Sequence, residues 1–158
     1  MRDFLIIGGG VAGAAAGYFL AGSGRVTLLE REQAPGLHST GRSAALFSEY
    51  FGNRAVRALT AASRSFLAVP PPGFADVPLL GPRGVLAVCP AGGEKAFEEA
   101  LNEGRRAPSP AVEIDAAEAL RHCPVLRPGR WTRAMLKPGA MDIDVDALHQ
   151  GFLRGIKA

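Results

Sequence analysis

A glycine-rich run that directly follows the first apolar segment constrains the fold of this chain more than any other feature. Residues 4–7 have the pattern of a short buried strand, and they lead into the spacing Gly-x-Gly-x-x-Gly at Gly8, Gly10 and Gly13. Gly8 permits a tight turn, Gly10 lets the backbone approach a ligand, and Gly13 lets the next helix pack closely. The unpaired N–H groups at the start of that helix favour an anion. The run therefore predicts a turn that holds a pyrophosphate.

A second apolar run that ends in an acidic residue completes this pattern. The run ends at Glu30, which lies 17 residues after Gly13. A carboxylate at that place accepts hydrogen bonds from both hydroxyls of an adenosine ribose. We therefore predict a Rossmann-like βαβ unit with strands over 3–7 and 25–30 and a helix over 11–22.

Charge and composition argue against several other classes of protein. The 158 residues have a formal net charge of +3, and the basic residues are scattered, so we expect no nucleic-acid binding. The uncharged stretch 4–22 contains six glycines, which disfavours a signal peptide or a membrane span. Cys89 and Cys123 lie far apart and outside any metal-ligand spacing. We therefore expect no metal site, no disulfide and a reducing, cytoplasmic location.

Two further helices are predicted before the Pro-rich break at 70–73. The segment 41–47 has the pattern of a helix start, with Ser39 or Thr40 as its N-cap. The segment 53–67 repeats apolar residues at helical spacing. Its apolar face consists of Val56, Leu59, Ala62, Ser63, Phe66 and Leu67.

Beyond the break, the pattern becomes rich in short strands. Apolar runs at 85–88, 112–114 and 131–136 alternate with helical segments at 94–102 and 116–121. Turns rich in Gly and Pro separate these segments, which favours antiparallel pairing. A final helix, capped by an aspartate, follows.

Four stretches of the sequence together resemble one family. They read IIGGGVAGAAAGYFL, VTLLEREQAPGLHSTGRSAA, VRALTAASRSF and MDIDVDALHQGFLRGI. The second and fourth stretches are far more specific than the glycine motif. On them, the chain resembles the FAD-dependent D-amino-acid oxidase (DAO) superfamily over nearly its whole length, and within it the D-arginine dehydrogenase-like and glycine oxidase-like members.

The resemblance implies a fold, a cofactor and a reaction. The implied fold class is α/β, a Rossmann-like FAD-binding unit with the start of an inserted antiparallel β-rich substrate region. The implied parts are residues 1–69 for FAD binding, 70–142 for part of the substrate region, and 143–158 for a helix that returns to the first part. Two parallel strands make a poor complete sheet, so we expect the N-terminal portion of a larger enzyme. In the family, a hydride passes from the substrate carbon to flavin N5, and water hydrolyses the resulting imine.

The resemblance also implies cofactor contacts at individual positions. It places Ala12 and Gly13 at the pyrophosphate, and Glu30 with Arg31 at the adenosine end. Arg42 either neutralises the pyrophosphate or bonds neighbouring carbonyls. The complete set of predicted cofactor-binding residues is Gly8, Gly10, Ala12, Gly13, Glu30, Arg31, Ser39, Thr40, Gly41, Arg42, Ser43, Ala44, Ala45 and Leu46. The sequence indicates no catalytic base, and we expect a non-covalent flavin.

Departures from the family pattern bear on the substrate, a small amino acid or amine. D-arginine dehydrogenase-like members have His, Tyr and Glu where this chain has Leu46, Phe51 and Val85. The acidic partner of a cationic side chain is therefore missing, and an unpaired guanidinium in a pocket is costly. We predict a small or apolar substrate side chain in a pocket that these three residues line, with Tyr50 in place of the missing phenol.

Two alternatives remain open from the sequence. One is a non-catalytic dinucleotide-binding remnant, or a split-gene partner that needs a second polypeptide. The other is an NAD-dependent Rossmann enzyme, which Glu30 also suits. In that enzyme the STGRSAA segment would lack a purpose, so FAD is the favoured cofactor. The electron acceptor stays open.

Overall fold

The computed structural model describes residues 2–157, and the elements below refer to that range. The helices are α1 (Val11–Ala21), α2 (Arg54–Ala68), α3 (Glu94–Gly104), α4 (Ala116–His122) and α5 (Val145–Lys157). The strands are β1 (Arg2–Ile7), β2 (Gly24–Leu29), β3 (Leu46–Phe47), β4 (Leu80–Pro82), β5 (Val85–Pro90), β6 (Val112–Ile114), β7 (Trp131–Lys137) and β8 (Met141–Ile143).

The chain divides into two compact units that interleave along the sequence. The first unit contains the chain up to Ala45, Arg64–Gly81 and the chain from Ile143. The second unit contains Leu46–Ser63 and Pro82–Asp142. These units are defined by contacts within the chain and not by ligand binding. The functional parts predicted at 1–69, 70–142 and 143–158 therefore stay predictions.

The first unit contains the predicted βαβ arrangement. Strands β1 and β2 are parallel, in a register that runs from Arg2 opposite Gly24 to Ile7 opposite Leu29. Side chains alternate between the two faces of a strand, and here alternate residues are half-buried and exposed. Helix α1 packs on β2 and on α5. The predicted α/β class is confirmed, and the bounds of its three elements differ from the predicted ones by one residue.

Helix α5 joins the first unit through a cluster of aromatic rings. The ring centroids of Phe66 and Phe152 are 5.8 Å apart in a stacked pair, and those of Tyr18 and Phe74 are 5.4 Å apart, edge to face. The Arg154 guanidinium donates a hydrogen bond of 2.5 Å to the Phe74 carbonyl. Offset and edge-to-face pairs of this kind stabilise a core beyond the area that they bury. The ring centroids of Tyr18 in α1 and Phe152 in α5 lie 5.5 Å apart, so the C-terminal helix packs directly on α1.

The second unit is built on an antiparallel sheet with strand order β5-β7-β6. The register runs from Val85 opposite Lys137, and from Val112 opposite Leu136. This confirms the predicted antiparallel pairing. Its core cluster consists of Cys89, Phe97, Leu101, Ala111 and Met135.

The helix start predicted over 41–47 is wrong. The segment forms turns as far as Arg42 and then enters the short strand β3, which pairs with β8. The Thr40 hydroxyl accepts a hydrogen bond from the Val11 N–H at 3.0 Å, so it is engaged with another segment instead of capping its own. The Gly41 N–H donates to the Gly36 carbonyl at 2.7 Å, which closes a turn.

Helix α2 matches the predicted segment, but its apolar face is only partly buried. The Asn53 side chain caps it by accepting from the Val56 N–H at 3.1 Å. Leu67 is buried, whereas Leu59 is 70% exposed. In the second unit, the Arg57 guanidinium of this helix pairs with the carboxylate of Glu103 at 2.8 Å. Across residues 2–157, no helix combines the length and apolar character needed to cross a bilayer.

Candidate dinucleotide-binding site

The glycine turn at the end of β1 has the geometry that its sequence predicts. Gly8 has a backbone φ of +104°, which residues other than glycine rarely adopt. Its N–H donates to the Leu29 carbonyl at 2.7 Å. A Cβ placed on Gly13 would lie 2.0 Å from the Gly8 carbonyl oxygen. A Cβ on Gly10 would meet only the Thr40 hydroxyl oxygen, at 3.3 Å. The turn therefore needs glycine at positions 8 and 13, and the backbone at Gly10 is free of close backbone neighbours.

The carboxylate of Glu30 holds this turn in place. One of its oxygens accepts from the Gly9 N–H at 2.7 Å, and the other accepts from the N–H groups of Arg31 at 2.7 Å and Glu32 at 3.0 Å. The hydrogen bond from Glu32, followed by the one from Gly9, keeps the pKa of Glu30 below its usual value. A carboxylate has about four acceptor positions, and three donors leave about one for a ligand hydroxyl.

Arg31, predicted at the adenosine end, pairs with a neighbouring acid. Its guanidinium lies 2.9 Å from a Glu32 carboxylate oxygen and is 88% exposed. The same oxygen lies 3.1 Å from the Nε2 atom of His38. The hydrogen bond from His38 and then the one from Arg31 lower the pKa of Glu32. The second carboxylate of this loop is therefore engaged by side chains, whereas Glu30 is engaged by backbone.

A surface cavity of about 430 Å³ lies at the carboxyl ends of β1 and β2. Its lining residues are Ile7, Gly8, Leu29, Glu30, Arg31, Glu32 and His38. Ile7 is 84% exposed and Leu29 is 51% exposed, so the cavity offers apolar surface beside the anionic Glu30. Ligands of parallel α/β sheets bind beyond the carboxyl ends of the strands, and the cavity has a size typical of such sites.

The structure brings only part of the predicted cofactor set to this turn. Gly8, Gly10, Gly13, Glu30 and Thr40 are connected by the contacts above. Exposed residues of the following segment are Arg31, Ser39, Gly41, Arg42, Ser43 and Ala44, and Ala12 is exposed at the start of α1. The Ala45 carbonyl accepts from the Ile143 N–H at 3.1 Å, and Leu46 belongs to β3 of the second unit.

Of the residues predicted to line the substrate pocket, Tyr50 has a clear structural role. Its hydroxyl donates to the Ser109 carbonyl and accepts from the Gly139 N–H at 3.1 Å. Its ring also packs on the core cluster of the second unit. Phe51 is 76% exposed. Leu46 and Val85 lie in the separate strands β3 and β5, and the substrate pocket stays a prediction.

Sequence reasoning missed one residue that contacts the glycine turn. The buried side chain of His149, in α5, places Nε2 2.7 Å from the Gly9 carbonyl oxygen. The predicted cofactor-binding set does not include this histidine. Its position next to Leu148 and close to Phe152, on the apolar side of a helix, was the available signal.

The parallel βαβ unit, the close glycine turn and the acidic residue after β2 together define a Rossmann-like, nucleotide-binding α/β class of protein. A family model described as FAD dependent oxidoreductase (DAO) matches residues 3–158, and the chain belongs to this family. Membership confirms the predicted resemblance, with FAD as the cofactor and oxidoreductase as the enzyme class of the family.

Solved structures of similar fold agree with this membership. Glycine oxidase from Geobacillus kaustophilus superposes with a TM-score of 0.79 at 22% identity, over 99% of this chain and 45% of that one. L-alpha-glycerophosphate oxidase from Mycoplasma pneumoniae, solved with FAD bound, superposes with a TM-score of 0.79 at 17% identity, over 99% of this chain and 43% of that one. Iminodiacetate oxidase from Chelativorans sp. BNC1 superposes with a TM-score of 0.70 at 24% identity, over 99% of this chain and 44% of that one. The chain thus spans less than half the length of these proteins.

Proposed function

We propose that this chain binds FAD through its glycine turn and forms part of an oxidoreductase that oxidises a C–N bond of an amino acid or amine. The bound flavin would supply the acceptor for the hydride, as in the reaction that the sequence resemblance implies. The protein would supply binding, orientation and an environment that excludes competing reactions.

The observation that carries this proposal is the close contact between Gly13 and Gly8. Because a Cβ on Gly13 would lie 2.0 Å from the Gly8 carbonyl oxygen, α1 begins directly against the end of β1. The helix carries no acidic residue in its first turn and no side-chain cap at Gly10. The Val11 N–H donates to the Thr40 hydroxyl, whereas the other N–H groups at this end and the partial positive charge of the helix suit a diphosphate. The residues present fit a dinucleotide.

Individual residues receive roles from their chemistry. Glu30, kept anionic by backbone donors, would accept a hydrogen bond from one ribose hydroxyl through its remaining acceptor position. The exposed apolar side chains of Ile7 and Leu29 would contact the adenine ring. The segment 39–46 would run along the ribityl chain toward the flavin ring. The same proposal assigns residues 1–69 to FAD binding, residues 70–142 to part of the substrate region, and residues 143–158 to a helix that returns to the FAD-binding part.

The proposed substrate is an amino acid or amine with a small or apolar side chain. Leu46, Phe51 and Val85 provide no charge for a cationic side chain. The names glycine oxidase and iminodiacetate oxidase support a small compound with a C–N bond. A similar structure is an L-proline dehydrogenase, so both enantiomers belong in the substrate panel.

Both cysteines are unpaired, which supports a reducing, cytoplasmic location.

Retention of flavin by the purified chain tests the proposal. FAD is added, free cofactor is removed, and the visible spectrum is recorded, with NAD titrated in parallel. We expect a retained flavin band, and bleaching of that band by small amino acids or amines without oxygen is then tested in the complete oxidoreductase of which this chain forms part. A protein that is folded by circular dichroism but retains no flavin contradicts the proposal.

A pair of variants relates that band to the site. Glu30→Gln keeps the shape of the side chain but removes its charge, and we expect FAD binding to weaken roughly tenfold. Glu99→Gln removes an exposed charge from α3 and is the matched control. Equal affinity of the two variants would place the adenosine elsewhere.

A further inference from the structure

The imidazole of His149 connects the C-terminal helix to the glycine turn. Its side chain is buried, with 3% of the residue exposed, and Nε2 lies 2.7 Å from the carbonyl oxygen of Gly9, 140 residues away. A carbonyl oxygen only accepts hydrogen bonds. The Nε2 atom must therefore carry a hydrogen, and His149 is the donor.

This hydrogen bond sets the direction of the peptide group that begins the helix. In a trans peptide, the N–H of one residue points opposite to the carbonyl of the residue before it. The Gly9 carbonyl faces His149, so the Gly10 N–H faces away from it. The preceding peptide is held as well, because the Gly9 N–H donates to Glu30 at 2.7 Å. Two side chains from distant segments thus orient consecutive peptide groups of the turn.

The imidazole ring lies close to the backbone of the loop at Gly36. A Cβ on Gly36 would lie 2.8 Å from the Cε1 atom of His149 and 3.0 Å from its Nδ1 atom. Gly36 itself has a φ of +82°, which also favours glycine. The Gly36 backbone therefore lies against one side of the ring. A Cβ on Gly9 would meet the Cβ of the neighbouring Pro35 at 2.9 Å. Gly9 and His149 are close-packed against the same loop.

We propose that His149 is a positioning residue for the cofactor, which acts through the Gly9 carbonyl to direct the Gly10 N–H toward the diphosphate. The proposal rests on the proposed binding of FAD at this turn. The hydrogen bond of His149 is made to protein backbone. A turn without this donor would sample other orientations of the 9–10 peptide, and part of the binding free energy would be spent on ordering it.

The test compares two variants that differ in one donor group. Glutamine carries an amide nitrogen at the same number of bonds from Cα as Nε2 of histidine, so His149→Gln retains a donor for Gly9. His149→Leu has similar volume and no donor. Leu148→Ala, on the same helix, provides a loss of stability without a change at the turn. FAD dissociation constants come from flavin fluorescence, and amide hydrogen exchange at Gly9, Gly10 and Val11 is measured without cofactor.

For His149→Leu, we expect about tenfold weaker FAD binding and about tenfold faster exchange at these amides, while His149→Gln stays near the wild type. Leu148→Ala should unfold more easily and bind FAD as the wild type does. Equal behaviour of the Leu and Gln variants, or a loss in Leu148→Ala as large as in His149→Leu, would overturn the proposal. If the wild type binds no FAD, the proposed function fails. The effect of His149 on the turn is then judged from amide hydrogen exchange alone, which is measured without cofactor. Circular dichroism identifies a variant that does not fold, and His149→Gln then carries the comparison with the wild type.

Discussion

The βαβ segment of the first unit and the second unit use glycine in different ways. In the βαβ segment, the closest approaches are to backbone oxygens: a Cβ on Gly13 would lie 2.0 Å from the Gly8 oxygen, and one on Gly24 would lie 2.2 Å from the Arg2 oxygen. In the second unit, the closest approaches are to side chains. A Cβ on Gly104 would lie 2.7 Å from the Cβ of Ala111.

The difference bears on which crowded glycines can be replaced. A side chain can be shortened or can move, so a crowded glycine in the second unit has a remedy within the core. A backbone carbonyl inside a hydrogen-bonded turn has none, because its displacement breaks the contacts that form the turn. The proposed cofactor turn is thus built from main chain, whereas the β-rich unit is built from side-chain packing.

The largest expected effect is that of Gly13→Ala. The new methyl group meets the Gly8 carbonyl, so α1 must move away from β1. We expect a loss of roughly 3 kcal/mol in the free energy of unfolding and no retention of FAD. Gly22→Ala is the control, since Gly22 ends the same helix with a φ of −69° and no atom within 4 Å of the added Cβ. Denaturant unfolding and the flavin spectrum measure both, and equal results for the two variants would contradict this account of the turn.

A smaller effect, and one with a remedy, is expected for Gly104→Ala. The added methyl group crowds Ala111 in the core of the second unit, and we expect a loss of about 1–2 kcal/mol with unchanged FAD affinity. The double variant Gly104→Ala with Ala111→Gly removes the obstacle. Its measured loss should be smaller than the sum of the two single losses. Additive losses would mean that the obstacle is not the Ala111 side chain.

The smallest effect distinguishes two carboxylates. The pKa of Glu113 is lowered by hydrogen bonds from the Arg133 guanidinium, at 2.6 and 2.9 Å, whereas backbone N–H groups lower the pKa of Glu30. Both groups have lowered pKa values in the folded state. The stability that each contributes is therefore complete above its unfolded pKa and is lost as the pH falls through its folded pKa.

Salt separates the two cases. At about 1 M salt, where the screening length is about 3 Å, NMR titration should find the pKa of Glu113 closer to its ordinary value. The pKa of Glu30 should change less, because its donors belong to the fixed backbone. Glu113→Gln should also remove part of the decrease in stability at acidic pH. A larger salt response at Glu30 than at Glu113 would contradict this assignment of causes.

Local sequence patterns were enough to predict the elements whose geometry depends on neighbouring residues. The run from Phe4 to Gly13 and the acid at Glu30 predicted a parallel βαβ unit, because turn geometry and strand pattern are properties of neighbouring residues. The specific stretch that begins at Val26 indicated the family. The helix expected over 41–47 was wrong because its cap, Thr40, is engaged by the Val11 N–H from a distant segment.

The sequence by itself determined the βαβ unit, its glycine turn and the family, since spacing along the chain encodes each of them. Only the tertiary structure decided which side chains hold that turn. His149 donates to Gly9 across 140 residues, and the Tyr50 hydroxyl is engaged by backbone groups 59 and 89 residues away. Such contacts depend on where the chain returns after folding. The helical pattern can place His149 on the apolar side of α5, but it does not tell which backbone group the imidazole meets.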